Sequence, residues 1–149
     1  MKLILLLSIF VLSACEAVSK YTSNETLVEF ENVLAGYWDE GHQDEMDLLC
    51  APGRSLLRHQ FSKNLTEVKW IHESEIQIYD DSFVKESIYN IEYASNALLA
   101  LSLQGEKRLN SSGDPYIWEL VMVNPGMYRW RSSDWPVGRY NKIWGKRCR

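Results

Sequence analysis

Hydrophobic positions along the chain change their period twice. Leu3 to Leu12 is apolar on every side apart from Ser8. Leu27, Phe30 and Leu34 then recur at helical spacing, so Asn24 to Gly36 reads as one amphipathic helix. Ser23 or Asn24 can cap it, Glu25 suits the positive end of its dipole, and Gly36 stands where a left-handed terminating residue is wanted. From Tyr37 onward the period is two. Leu57, His59 and Phe61 share a face, Val68 and Trp70 alternate with Glu67, Lys69 and Ile71, and Ile76 and Ile78 precede a turn at Tyr79-Asp80-Asp81-Ser82. Tyr89, Ile91 and Tyr93 share a face, Leu98 to Leu103 is almost wholly apolar, and Tyr116, Trp118, Leu120 and Met122 oppose Ile117, Glu119, Val121 and Val123. Met127 to Arg131 and Arg139 to Trp144 complete the series. About eight or nine short strands behind one helix predict a mainly β sandwich or closed barrel.

The amino-terminal apolar run follows Met1-Lys2 and falls short of the roughly 20 residues that span a bilayer. One positive charge, a short apolar core and small residues have the layout of a secretory signal. Its end, Leu12-Ser13-Ala14-Cys15, resembles the bacterial lipoprotein box, which implies cleavage before Cys15 and a diacylglycerol on its sulfur. Acyl chains contribute about 0.8 kcal/mol per buried methylene, so several together anchor a protein durably. The chain is therefore expected to comprise a signal peptide (1–14), a lipidated tether (15–23) and one barrel domain (24–149). Glu16 follows the cysteine in place of the aspartate associated with inner-membrane retention. The expected location is the outer membrane, on its periplasmic face.

Three cysteines leave one to explain in an oxidising compartment. With Cys15 lipidated, Cys50 and Cys148 are expected to pair, the alternative being two buried thiols. Such a bridge would contribute roughly 4–5 kcal/mol by the chain-entropy model.

The net charge of −4 discourages nucleic-acid binding. Its distribution is uneven: residues 16–50 hold nine acids and one base, whereas residues 126–149 hold seven bases and one acid. A basic tail could serve an anionic surface. Alternatively the two ends lie side by side and balance, as the first and last strands of a closed barrel do.

Phe30-Glu31-Asn32-Val33-Leu34-Ala35-Gly36-Tyr37-Trp38 resembles the lipocalin opening, a short helix leading through Gly-x-Trp into the first strand. The resemblance implies a small antiparallel up-and-down β-barrel preceded by one helix. It also implies that Gly36 and Trp38 close the barrel base and that a late arginine packs over the tryptophan. Arg139 is the best match for that arginine, with Arg129 and Arg131 as rivals. The family's Thr-Asp-Tyr turn is absent, and a barrel this small can fill itself with side chains instead of enclosing a cavity.

Of six tryptophans and eight tyrosines, seven fall between Tyr116 and Trp144, towards the end of the chain. Tyr116, Trp118, Tyr128, Trp130 and Trp135 are the candidate ligand contacts, either lining a pocket or filling the barrel. Trp135 lies in a loop, Ser132 to Gly138. His42, Asp44 and Glu45 read as an acidic solvated loop, and His59 and His72 lie on separate strands, so no metal or cofactor is expected. No nucleophile elbow, phosphate-cradling glycine loop or dinucleotide fingerprint occurs. The expected function is non-catalytic binding of an apolar or amphipathic small molecule. The alternative is a periplasmic protein-interaction module, such as an inhibitor of an envelope hydrolase, using the loop at 109–115 or 132–138.

Overall fold

A computed structural model describes residues 22–73 and 85–149. The signal peptide, Cys15, most of the tether, Ile76, Ile78 and the turn at 79–82 lie outside the described residues. Among the described residues one α-helix, α1 (Asn24–Leu34), precedes eight strands: β1 (Tyr37–His42), β2 (Leu56–Phe61), β3 (Glu67–Glu73), β4 (Lys85–Ser95), β5 (Leu98–Leu103), β6 (Trp118–Asn124), β7 (Met127–Ser132) and β8 (Ile143–Arg147). Each strand pairs antiparallel with the next, and β8 returns to β1, so the sheet closes as an up-and-down barrel. Closure removes both sheet edges, which settles the choice between sandwich and barrel.

Local chemistry sets the helix. The Ser23 hydroxyl accepts from the Thr26 amide, satisfying one orphan donor of the first turn. Leu27, Phe30 and Leu34 face inward and plug one end of the barrel. Gly36 then reverses the chain at φ 104°, where a side chain would strike the Arg149 carbonyl oxygen, 2.4 Å from an added Cβ. Two residues on, Trp38 is fully buried and its indole N–H donates to the Leu34 carbonyl at 3.1 Å. The His59 Nδ1 donates to that same carbonyl at 3.3 Å. The Gly-x-Trp spacing thus caps the last turn of α1 with a side chain from the first strand.

The remaining inward positions stack above this base. Leu57, Val68, Leu99, Leu101 and Leu120 pack around Trp38 and Tyr128, whose ring centroids are 5.0 Å apart. Gly145 makes room for the Tyr128 ring: a Cβ there would lie 2.1 Å from it.

Three sequence expectations shift. The last strand starts at Ile143 instead of Arg139, because residues 139–142 close the β7–β8 loop. There the Arg139 amide donates to Pro136 and the Asn141 amide to Trp130. A bulge between Ile91 and Tyr93 turns Tyr93 to the outer face, where its hydroxyl meets Glu119, while Tyr89 and Ile91 stay with the core. The acidic front and basic end do adjoin, with Asp39 opposite Lys146, but the carboxylate of Asp39 pairs with Arg54.

Asp39 is 1% exposed because the long β1–β2 connection folds back over the outer face of β1. Its oxygen accepts from the Cys50 amide at 2.8 Å and from the Arg54 guanidinium. The Cys50–Cys148 disulfide, with Cα atoms 5.3 Å apart, ties this connection to the end of β8. The expected pairing is therefore present, and it staples the seam where the barrel closes.

Candidate functional site

The helix closes one end of the barrel; the other end is open. A cavity of about 260 Å³ occupies the open half, walled by Trp70, Tyr89, Trp118, Trp130 and Ile143 and rimmed by His72, Ser87, Arg108 and Asn141. Glu40 forms part of its lining. Period two along β1 carries Trp38 and Glu40 to the same inner face, so a carboxylate stands directly above the packed base. A larger groove of about 610 Å³ runs outside the barrel, along Val28, Asn32, Val33 and Pro125, and is open to solvent over most of its perimeter.

Two donors converge on one oxygen of Glu40. The Tyr128 hydroxyl donates to Oε1 at 2.8 Å and the Trp130 indole N–H at 2.7 Å. Among the described residues no donor reaches Oε2. Burial pushes the Glu40 pKa up; the hydrogen bonds from Trp130 and Tyr128 oppose that shift, and the neighbouring Asp39 charge adds to it. Tyr89 on the facing wall is pushed up to about 12, chiefly by burial and then by Glu40. Tyr128 is raised for the same two reasons.

At the rim, Arg108 and Glu106 form a closed unit. Arg108 donates through Nε and through its terminal nitrogen to the two Glu106 oxygens at 2.8 and 2.6 Å, holding that carboxyl at about 2. The guanidinium lies 5.2 Å above the Trp118 ring and 6.0 Å from the Tyr116 ring, the two rings being stacked at 5.3 Å.

The five aromatic candidates separate in space. Trp118 and Trp130 wall the cavity. Tyr116 stacks on Trp118 at the rim. Tyr128 is fully buried below and meets the cavity only through its bond to Glu40. Trp135 abuts the edge of Trp118 at 6.2 Å. Arg139 is placed over Trp135, 4.8 Å from its ring, and not over Trp38. The reason is topological: Arg139 belongs to the β7–β8 loop at the open end, whereas Trp38 opens β1 at the helix end, opposite Arg147. The rival Arg129 covers Tyr140 and Trp144, and Arg131 pairs with Glu119 at 2.8 Å.

No protein-family model, curated protein or solved structure matches this chain. Its likeness is one of architecture: a closed eight-stranded antiparallel barrel with one helix across its base is consistent with a lipocalin-like fold. Such a fold is compatible with a domain that binds small molecules.

Glu40, Trp70, Tyr89 and Arg108 were not among the sequence candidates. One signal pointed to Glu40, which shares the face of Trp38 under strict alternation and so had to enter the barrel. Nothing local pointed to Arg108, which reaches the rim from the irregular connection between β5 and β6. Among the described residues, no group of three or more His, Cys, Asp and Glu side chains is arranged to hold a metal ion.

Proposed function

We propose that this is a lipid-anchored envelope protein whose barrel binds a small amphipathic molecule at its open end without transforming it. The observation that carries the binding reading is the cavity itself: aromatic walls around one half-buried carboxylate, above a closely packed base. Binding sites of this kind combine apolar area with a few convergent polar groups. The envelope reading is supported by the leader and the lipoprotein-box resemblance at Cys15. The non-catalytic reading is supported by the lack of nucleophile and cofactor motifs in the sequence.

Two experiments test these parts separately. Native mass spectrometry of the purified protein, with uptake of an apolar fluorescent dye, should report an occupied or fillable cavity. Ser87→Phe, which places a ring in the mouth, should abolish uptake while leaving the circular dichroism unchanged. Undiminished uptake by that variant would move the site elsewhere. For the anchor, Cys15→Ala should release the protein from the membrane fraction, and retention would refute lipidation.

A second reading has its own support. The loops at 109–115 and 132–138 adjoin, with the Ser111 amide and hydroxyl 3.4 Å from Asp134, and Val137 at the tip is 96% exposed. A paired protrusion of this sort suits entry into a partner's cleft, as an inhibitor of an envelope hydrolase would require.

A further inference from the structure

We propose that the mouth cavity is built for a small organic ammonium ion, held by Oε2 of Glu40 and faced by the rings of Trp70, Tyr89 and Trp130. The inference rests on the reading of this cavity as a ligand site and names the chemistry of its occupant.

The argument starts with hydrogen-bond capacity. A carboxylate offers about four acceptor sites, and Glu40 fills two of them on Oε1 with Tyr128 and Trp130. These two bonds aim the group and fix its rotamer, leaving Oε2 without a donor among the described residues. Glu40 is half-buried and lines the cavity, so Oε2 is left to accept from a donor or a positive charge that enters there. Burial already pushes its pKa up, and an ammonium beside it would favour the ionised form.

The walls fit the same occupant. Trp70, Tyr89 and Trp130 form a contiguous aromatic surface, with Trp70 at 5.0 Å from Tyr89 and 5.5 Å from Trp130. Ring faces attract cations, and more strongly where water is excluded. One cation already sits this way at the rim, where Arg108 lies over Trp118. Its charge is matched by Glu106 at 2.6 Å, so Arg108 leaves the Glu40 carboxylate unneutralised. A cavity of about 260 Å³ falls just below the range of roughly 300–1,000 Å³ that holds drug-sized ligands. An amine carrying a single ring or short chain matches that size.

Isothermal titration calorimetry on the full protein with three probes of one shape tests the proposal: phenethylammonium, 2-phenylethanol and 3-phenylpropionate. Phenethylammonium should bind at least about tenfold more tightly than the alcohol, a difference of about 1.4 kcal/mol, with the carboxylate weakest. Glu40→Gln retains an oxygen for Tyr128 and Trp130. It should erase the preference, bringing the affinity for phenethylammonium down to that for the alcohol. Equal affinity for ammonium and alcohol, or a preference that survives Glu40→Gln, overturns the proposal while leaving the cavity a binding site. Tightest binding of 3-phenylpropionate overturns it in favour of a ligand sharing a proton with Glu40. Binding of none of the three sinks both this inference and the ligand-site reading beneath it. The wild-type series decides the matter even if the variant folds poorly.

Discussion

His59 should make the barrel acid-labile. It is 7% exposed, wedged between Trp70 at 4.3 Å and the rings of Trp38 and Tyr128 at 6.0 Å. Its Nδ1–H donates to the Leu34 carbonyl, and no described group donates to or accepts from Nε2. Burial therefore holds the imidazole neutral and pushes its pKa from 6.5 down to about 3. The unfolded chain takes up this proton first as pH falls, so the native state loses stability from 6.5 down to about 3. The full shift corresponds to about 5 kcal/mol, of which about 2 kcal/mol is already lost near pH 5. That is a large share of the stability of an ordinary domain. Urea titrations at several pH values, on wild type and His59→Leu, isolate the effect. The leucine carries no titrating group, and Trp38 still donates to the Leu34 carbonyl. Whatever the substitution costs at neutral pH, the stability difference between the two proteins should swing by about 2 kcal/mol towards the variant at pH 5. A difference that stays constant between about pH 7 and pH 4 would refute the reasoning.

Reducing the Cys50–Cys148 bridge should lower stability by about 4–5 kcal/mol, read as a drop in the urea midpoint with reductant present. An unchanged midpoint would show that the β1–β8 seam holds without its staple. Gly145→Ala drives a methyl into the Tyr128 ring and should cost at least about 1–3 kcal/mol by overpacking, measured by thermal melts. A neutral result would mean that the ring has somewhere else to go. Glu40→Gln should behave oppositely to the histidine variant. Because burial raises the carboxyl pKa above 4.5, wild type loses stability as pH rises through that region, so the variant should gain relative stability at neutral pH. Equal melting temperatures for the two proteins at neutral pH would argue that the Tyr128 and Trp130 bonds cancel the burial penalty.

The barrel is two things in one cylinder, a packed base and an open mouth, and side-chain size divides them. Trp38, Tyr128, Leu99, Leu101 and Leu120 fill the half above α1. Towards the other end, Ser87 and Asn141 stand where the base has large apolar groups, and space opens. Cavity and solid core were rival expectations for the same interior, and each holds for one half.

Local patterning by itself determined the helix, a cap at Ser23 or Asn24, the strand rhythm and the Gly36–Trp38 entry, because each depends on neighbours within a few residues. Strict alternation also carries Glu40 to the face of Trp38, and the cysteine count made Cys50 and Cys148 the expected pair, with two buried thiols as the alternative. Only the tertiary structure decided which inward residues meet. Alternation names a face but not a height, and the height comes from register around a closed sheet. One bulge sent Tyr93 outward to Glu119. The return of β8 to β1 set Arg147 opposite Trp38 and left Arg139 at the far end over Trp135. The convergence of Tyr128 and Trp130 on a carboxylate from the first strand is a contact across the closing seam, which no local pattern encodes.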